Sequence, residues 1–291
     1  MSATSQFSKP EATQLSNKTG VCKPLEIWLR HDSYDYNPAP DYFSATELLR
    51  PTKQIILSRR FPEQGDIIDR YYAVRGSALH ESIERALAAS SEECLMEQRQ
   101  TRELDGVVIG GKFDLIMDGT LYDFKTTSVS SYQGGKREKD YILQASIYRW
   151  LNPAIVTNPK FTICFVLTDW SDRGLLRSGD YPASPCPSKT FDLYSLEKTE
   201  HFLKQKIADI KKNQDKREEE MLCLHEELWP TPTKYKYFAN AESTRATKVF
   251  DTLEEANAYA VGKKGVVKTV LGENMRCKYC PCAAHCTQWD K

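Results

Sequence analysis

The dipeptide Asp118-Gly119 lies between two largely apolar segments and strongly constrains how the chain can fold. Asp-Gly in this setting is typical of a two-residue β-hairpin turn. The sequence therefore predicts strands over Val107–Met117 and Thr120–Thr126. A two-residue loop also fixes the register, because it places Met117 directly opposite Thr120.

Counting back along this register places Asp114 opposite Asp123 and Lys112 opposite Lys125. Opposed Cβ atoms are about 4.5–5.5 Å apart, so the two carboxylates could share one divalent cation. Side chains alternate between the faces of a strand, which puts these four residues on one face. The other face is predicted to enter a core and carries Phe113, Leu115, Met117, Tyr122 and Phe124. A solvated hairpin with cross-strand charges is the alternative interpretation.

Composition limits the class of protein. The chain has 291 residues, and 40 basic residues balance 40 acidic ones, so net charge gives no sign of a nucleic-acid partner. The polar start lacks the apolar core of a signal peptide, and no apolar run has the length of a membrane span. We therefore expect a soluble cytoplasmic protein, with a polar, partly disordered tail over residues 1–40 and one domain over residues 41–291.

The hydrophobic pattern around the hairpin predicts an α/β core with a mixed sheet. A capping-box pattern at Ser44–Glu47 opens a helical segment that Pro51 must soon break. The other predicted elements are helices over Arg75–Glu97, Lys139–Leu151, Ser195–Arg217 and Thr252–Ala260, and a strand over Lys160–Thr168.

Two pairs of residues at helical spacing flank the hairpin in sequence. His80 and Glu84 face the same way on the first long helix, and Gln144 and Tyr148 do so on the next. An imidazole and a carboxylate could complete the coordination of a cation held by the hairpin. Taken alone, His80 and Glu84 are more often a surface hydrogen bond, and Gln144 and Tyr148 are more often ordinary helix residues.

The order of these residues resembles that of the PD-(D/E)XK nuclease superfamily. The matching elements are His80 at the end of Gly76–His80, Asp114, Asp123-Phe124-Lys125, and Gln144 with Tyr148. The resemblance covers residues 43–170 and is strongest to the RecB-like branch, which includes nuclease domains of bacterial recombination helicases, CRISPR-adaptation nucleases and many phage exonucleases. The proline that names the superfamily is absent, since Phe113 precedes Asp114.

The resemblance implies a restriction-endonuclease-like core, in which a central mixed β-sheet is flanked by helices, with a cysteine-rich loop at the C-terminus. It also implies a Mg²⁺ or Mn²⁺ site formed by His80, Asp114, Asp123 and the carbonyl of Phe124. Lys125 would orient the attacking water or stabilise the transition state, with a pKa lowered by the nearby cation. Gln144 and Tyr148 would position Lys125 or the nucleic acid.

The function implied by the resemblance is that of a metal-dependent DNA exonuclease in replication, recombination or repair. Its substrate would be single-stranded DNA or DNA with a free end, and recombination or replication proteins would be further partners. The alternatives are a structure-specific endonuclease that uses the same site, and an inactive nuclease fold that only binds nucleic acid.

Four of the nine cysteines fall within ten residues, namely Cys277, Cys280, Cys282 and Cys286. Such clustering in a large chain without a signal peptide favours metal ligation over disulfides. Some RecB-like nucleases bind a 4Fe–4S cluster through three C-terminal cysteines and one upstream. Cys277, Cys280 and Cys286 match the first three, but Leu49-Arg50-Pro51 occupies the expected upstream position. Cys282 or His285 could supply a local fourth ligand. Zinc is the alternative metal, and free thiols without a metal are the third interpretation.

One further segment alternates lysines with aromatic residues. Lys234–Phe238 could stack single-stranded bases in a groove, or could form an edge strand with solvated lysines. We favour the edge strand.

Overall fold

The computed structural model describes residues 15–31, 37, 39–61, 65–176 and 179–289. Its α-helices are α1 (Lys23–Arg30), α2 (Ala45–Leu48), α3 (Thr52–Arg60), α4 (Tyr71–Ala88), α5 (Val129–Gly134), α6 (Glu138–Leu151), α7 (Asp172–Leu175), α8 (Leu196–Asn213), α9 (Leu253–Ala260) and α10 (Met275–Lys278). Its strands are β1 (Tyr42–Ser44), β2 (Leu95–Met96), β3 (Arg99–Leu104), β4 (Val107–Lys112), β5 (Leu115–Met117), β6 (Thr120–Thr127), β7 (Lys160–Leu167), β8 (Ser188–Asp192), β9 (Lys234–Phe238), β10 (Lys248–Phe250) and β11 (Val266–Val270).

Contacts between residues group the chain into two compact units. The sequence, in comparison, predicts one domain over residues 41–291. The first unit falls within residues 1–50 and 62–214, and the second within residues 51–61 and 215–291. The second unit thus combines α3 with the C-terminal part of the chain, and it contains the cysteine-rich segment. None of the described helices combines the length and the apolar character needed to cross a membrane.

The first unit is a mixed α/β structure built on two sheets. The larger sheet has the strand order β2-β5-β6-β7-β8, in which β6 and β7 are parallel and the other neighbours antiparallel. The smaller sheet has the order β1-β4-β3, with β1 parallel to β4. Helix α6 contacts strands of both sheets, and its Ile147 and Trp150 are fully buried. The prediction of a mixed sheet flanked by helices is confirmed.

The hairpin turn forms as predicted between β5 and β6. Asp118 and Gly119 both have positive φ, at 47° and 70°, as a type I′ turn requires. Met117 pairs with Thr120, so the predicted register is correct along β5.

The first predicted strand of the hairpin is wrong in its length. It divides into β4 and β5 at Phe113 and Asp114, and the two pieces belong to different sheets. Lys112 consequently pairs with Arg99 of β3 and not with Lys125. The predicted core face is also only partly correct, because Leu121 and Asp123 are buried in β6, whereas Tyr122 and Phe124 are half-buried.

Close packing of aromatic rings explains why β4 carries two adjacent glycines. A Cβ atom on Gly111 would lie 2.8 Å from the Tyr148 ring, and one on Gly110 would collide with the Tyr42 ring. Phe113, which lies two residues after this glycine pair, is fully buried. The two rings therefore leave no room for a side chain at these two positions of β4.

Helix α4 is shorter than the predicted helix over Arg75–Glu97. The hydroxyl of Ser90 donates a hydrogen bond of 2.7 Å to the carbonyl of Leu87, which satisfies one of the last carbonyls of the helix. The chain then forms the short strand β2 and reaches Glu97, which has a positive φ of 51°.

Part of the predicted N-terminal tail is packed. Within residues 15–31, helix α1 forms and places Leu29 in an apolar cluster with Ile67 and Val74, against which Trp28 and Val21 also pack. Residues 1–14, 32–36 and 38 of the predicted tail lie outside the described residues.

The second unit contains a three-stranded antiparallel sheet with the order β10-β9-β11. The prediction of an edge strand over Lys234–Phe238 is wrong, because β9 lies in the centre of this sheet. Helix α9 covers one face, where the Tyr259 ring contacts the rings of Tyr237 and Phe250. Strand neighbours on both sides satisfy the backbone of β9, so its lysine–aromatic alternation has a structural explanation.

The Gly119→Ala variant should be destabilised by at least about 1–2 kcal/mol, because an L side chain is strained at this φ. The added Cβ atom would also collide with the hydroxyl of Thr157. Urea unfolding measures the difference. Gly134→Ala is the matched control, since a Cβ atom there meets nothing within 4 Å. Equal unfolding midpoints for the Gly119→Ala variant and the wild type would contradict the strained turn.

Candidate functional site

Asp114 lies at the bend between β4 and β5 and is fixed by the neighbouring strand. Its Oδ2 accepts a hydrogen bond of 2.8 Å from the backbone N–H of Phe124 in β6. Its Oδ1 lies 3.7 Å from Nδ1 of His80. The bend therefore turns a half-buried carboxylate toward helix α4.

His80 reaches the same point from α4. Its Nε2 lies 2.9 Å from the carbonyl oxygen of Phe124 and donates a hydrogen bond to it when that nitrogen carries the proton. At this separation, the His80 nitrogen and the Phe124 oxygen would also fit two adjacent ligand positions around an octahedral metal ion whose ligands lie at about 2.1 Å. The sequence-predicted residues His80, Asp114 and Phe124 are thus brought together.

Glu97 joins this group, although the sequence did not indicate it. One donor atom from each of His80, Glu97 and Asp114 lies within 4.8 Å of the other two. The N–H of Glu97 donates a hydrogen bond of 3.2 Å to the carbonyl of Asp114, and its carboxylate pairs with Lys112. Glu84, predicted beside His80, is not a member of this three-residue group.

Glu97 was missed because the sequence predicted it at the end of a helix that also holds His80. Seventeen residues of helix would separate the two by about 26 Å. The early end of α4 and the return of the chain through β2 remove this separation.

Asp123 and Lys125 form an ion pair next to this group. They lie two residues apart on β6, and Lys125 Nζ is 2.6 Å from Asp123 Oδ2. Asp123 is 5% exposed, so it is among the few buried charged residues of the described chain. The carboxylate of Asp123, predicted as a metal ligand, here contacts the lysine.

Burial and neighbouring charges shift the proton affinities of this pair. Burial raises the pKa of Asp123, while the Lys125 ammonium opposes the shift and the Asp114 carboxylate adds to it. Burial acts to lower the pKa of Lys125, but the carboxylates of Asp123 and Asp114 raise it above its ordinary value. The sequence-based expectation of a lowered Lys125 pKa relied on a cation, and the protein's own carboxylates act in the opposite direction.

Helix α6 contributes three residues on one face. The Lys125 ammonium lies 5.5 Å from the centre of the Tyr141 ring, a contact that the sequence did not indicate. Gln144 follows Tyr141 by three residues and donates a hydrogen bond of 2.7 Å from Nε2 to the hydroxyl of Tyr148. Tyr148 is buried, with its ring against Gly111. Tyr141 therefore approaches the lysine, and Gln144 and Tyr148 bond to each other.

The cysteine-rich segment forms a separate arrangement in the second unit. Cys277, Cys280 and Cys286 line one small cavity, and the fourth cysteine that lines it is Cys223. Burial raises the pKa of Cys223 to about 12, and negative charge on Glu227, Cys286 and Cys280 contributes. Cys282 is buried elsewhere, with its Sγ 3.1 Å from the Ser58 hydroxyl.

His285, the other predicted local ligand, stacks on the ring of Phe61, the residue that directly follows α3. Its ring centroid lies 4.1 Å from that of Phe61, and the ring planes are 11° apart. The imidazole thus has a packing role in the second unit.

No protein-family model matches the chain, and no curated protein matches it significantly by sequence. Among solved structures, the fold is similar to that of the protein SSO0001, with 17% identity, 64% of this chain and 86% of that chain covered, and a TM-score of 0.47.

Two exonuclease structures are also similar to this chain. The phage-related exonuclease from Haemophilus somnus 129PT has 16% identity and a TM-score of 0.38, with 56% of this chain and 79% of that chain covered. The alkaline exonuclease from Laribacter hongkongensis has 13% identity and a TM-score of 0.38, with 59% and 91% covered.

Proposed function

We propose that this protein is a metal-dependent DNA exonuclease of the RecB-like branch of the PD-(D/E)XK superfamily. The observation that carries the proposal is the convergence of His80, Glu97 and Asp114 within 4.8 Å, next to the Asp123–Lys125 ion pair. A carboxylate cluster beside a lysine is what hydrolysis of a phosphodiester needs, because the reaction requires both an activated water and stabilised negative charge.

The residues present fit a hard divalent cation. The candidate ligands are one imidazole, the carboxylates of Glu97 and Asp114, and the carbonyl of Phe124. Oxygen-rich donor sets of this kind suit Mg²⁺ and Mn²⁺. In the part of the chain that the structure describes, no lysine or arginine pairs with Asp114, so its negative charge remains available to a cation.

A bound Mg²⁺ or Mn²⁺ would supply a water of lowered pKa and positive charge beside the phosphate. The backbone N–H of Phe124 holds the Asp114 carboxylate in a fixed orientation. The ammonium of Lys125, positioned by Asp123, would donate a hydrogen bond to the attacking water or to a phosphate oxygen. Gln144 and Tyr148, on the same helix face as Tyr141, would contact the nucleic acid or limit the motion of Lys125.

The proposal extends to partners and to a second metal group. DNA with a free end or single-stranded DNA would be the substrate, and proteins of replication or recombination would recruit the enzyme. The C-terminal cysteines would bind either a 4Fe–4S cluster or zinc.

The decisive assay compares linear and covalently closed circular DNA, both labelled, with Mg²⁺ or Mn²⁺. An exonuclease shortens the linear DNA progressively from its ends and leaves the circle intact. Nicking of the circle would instead assign a structure-specific endonuclease to the same site. Binding of DNA without cleavage of any substrate would identify an inactive nuclease fold.

The Glu97→Gln variant should need at least about 10-fold more Mn²⁺ for half-maximal cleavage, because it removes one anionic donor from the group. A titration of activity against Mn²⁺ concentration measures the shift. Glu84→Gln is the matched control, because it makes the same replacement of Glu by Gln at a residue of α4 that does not belong to the three-residue group. Similar Mn²⁺ requirements for the two variants would exclude Glu97 as a ligand.

A further inference from the structure

The start of helix α4 carries a pair of aromatic side chains on the protein surface. Tyr72 is 73% exposed, and its neighbour Tyr71 is 36% exposed. Their ring centroids lie 5.3 Å apart in an edge-to-face arrangement, with 68° between the ring planes. The Tyr71 ring therefore supports the Tyr72 ring from one side, while most of the Tyr72 ring remains open to solvent.

Arg75 contacts both rings. The central carbon of its guanidinium group lies 5.3 Å from the centroid of the Tyr71 ring and 5.4 Å from that of the Tyr72 ring. Its Nε is buried and, among the residues that the structure describes, has no hydrogen-bond partner. Contacts with the two rings thus position the side chain of Arg75, and they keep its positive charge beside the exposed ring.

Tyr72 lies in the same row of α4 as His80 of the candidate site. Gly76 stands between them, four residues from each, and residues at this spacing are neighbours on the surface of a helix. Eight residues of helix separate Tyr72 from His80 by about 12 Å along the axis. A nucleic-acid strand covers this distance in no more than about four nucleotides, at about 3.4 Å each. A strand with a phosphate at the candidate site therefore reaches Tyr72.

Gly76 leaves a gap between these two side chains. Outside the helix backbone, a Cβ atom there would have one neighbour within 4 Å, the hydroxyl of Thr126 at an ordinary contact distance of 3.5 Å. Packing against the described residues thus does not require glycine at this position. Glycine in a helix interior is destabilising relative to alanine, and it is favoured where a ligand approaches the backbone closely. The gap therefore points to a ligand that passes across α4.

The same gap borders the candidate site on the side of the sheet. Thr126 directly follows Lys125 on β6. The carbonyl of Phe124, two residues before Thr126, lies 2.9 Å from Nε2 of His80. The gap and the candidate site thus adjoin the same part of β6 and the same side of α4.

The chemistry of this surface suits an unpaired nucleic-acid strand. Every base has a flat π-face, and aromatic side chains of proteins that bind single strands stack on it. A base inside a duplex is stacked on both sides by its neighbours, so only an unpaired base can take the ring as a partner. The positive charge of Arg75 next to the ring favours the phosphates of the same strand.

We propose that Tyr72 stacks on an unpaired base of the strand that is cleaved, and that the backbone of this strand crosses α4 at Gly76. Arg75 and Tyr71 hold the ring in place. The inference rests on the proposed nuclease function and adds the basis of substrate selection, because an unpaired end binds in preference to a blunt duplex end. Tyr72 and Gly76 position the substrate and take no part in the chemical step.

The test is the affinity of the full-length protein for fluorescent single-stranded oligonucleotides, measured by anisotropy with a chelator present to prevent cleavage. Tyr72→Ala should weaken binding at least about fivefold, the factor expected for the loss of one stacked base. Tyr72→Phe keeps the ring and should bind as the wild type does. Tyr279→Ala is the matched control, because Tyr279 is a tyrosine of similar exposure, 75%, in the second unit. Equal affinities for Tyr72→Ala and the wild type would overturn the proposal.

Oligonucleotides that lack one base at successive positions test stacking directly. At one position the missing base should weaken binding to the wild type by about the same factor as Tyr72→Ala, and it should not weaken binding to that variant further. Gly76→Ala should bind at least about threefold more weakly while its urea midpoint equals or exceeds that of the wild type, because the methyl group only fills the gap. Wild-type affinity of Gly76→Ala, or a base effect that persists in Tyr72→Ala, would overturn the proposal.

Failure of this inference is distinguishable from failure of the proposed function. In single-turnover cleavage, Tyr72→Ala should raise the protein concentration for half-maximal rate at least about fivefold and leave the maximal rate unchanged. Normal cleavage by the wild type with no such shift in Tyr72→Ala would overturn the stacking proposal and leave the nuclease in place. Stacking in the binding assays without cleavage of any DNA would instead overturn the proposed function and support the contact with Tyr72.

Discussion

Replacement of Asp114 by Asn should reduce DNA cleavage by at least about 10³-fold, since an anionic ligand contributes several kcal/mol and each 1.36 kcal/mol is a factor of ten. The folded structure should survive, because the Asn carbonyl can still accept the hydrogen bond from the N–H of Phe124. Single-turnover rates on end-labelled linear DNA, at a fixed saturating Mn²⁺ concentration, measure the loss.

Asp118→Asn is the matched control for this experiment. It makes the same chemical change four residues later, at a position with a φ of 47°. Asn favours the first position of a type I′ turn, so this variant should keep both its stability and its activity. Cleavage by Asp114→Asn within about tenfold of the wild type would exclude Asp114 as a ligand, because the expected loss is several kcal/mol.

The hairpin shows which parts of the site are predictable from the sequence. A two-residue turn with positive φ at both positions demands particular residues, and it fixes the pairing of the strands that it joins. The turn, the pairing of Met117 with Thr120 and the proximity of Asp114 to β6 therefore follow from local chemistry. The division into β4 and β5 does not, because nothing in the local pattern marks Phe113 and Asp114 as the point where the chain passes from one sheet to the other.

Glu97 and Cys223 mark the limit of the same reasoning. Glu97 enters its group because α4 ends at Ala88, and the helical pattern gave no sign of that end. Cys223 reaches the C-terminal thiols through the contact with Gln288, which links segments far apart in sequence. Candidate metal-ligating side chains that come from one short segment can be recognised in the sequence by their spacing. A side chain that joins them through a tertiary contact cannot.

Lys125→Met should reduce cleavage by at least about 10²-fold, because it removes a positive charge at the site where negative charge develops. The variant should also be destabilised by about 3–5 kcal/mol, since Asp123 would remain as a buried charge without its partner. Urea unfolding in the presence of a chelator measures the stability, and single-turnover cleavage measures the activity. Lys112→Met is the matched control, because Lys112 pairs with Glu97 and is not part of the Asp123 ion pair.

The destabilisation should depend on pH in a defined direction. Burial already raises the pKa of Asp123, and the Lys125 ammonium opposes that shift. Without the lysine the pKa of folded Asp123 rises further above its unfolded value, so in the pH range between the two values the folded state binds more protons than the unfolded state. The variant therefore loses stability as pH rises and regains part of it as pH falls, because protonation removes the buried charge.

A double variant separates the structural role of Lys125 from its catalytic role. Asp123→Asn combined with Lys125→Met removes both buried charges, so most of the lost stability should return. Cleavage should not return, because neither side chain can then stabilise charge on the phosphate or orient the attacking water. Recovery of activity together with stability would mean that Lys125 acts only by balancing the buried charge of Asp123, and that the hydrolysis depends on His80, Glu97 and Asp114 without either residue.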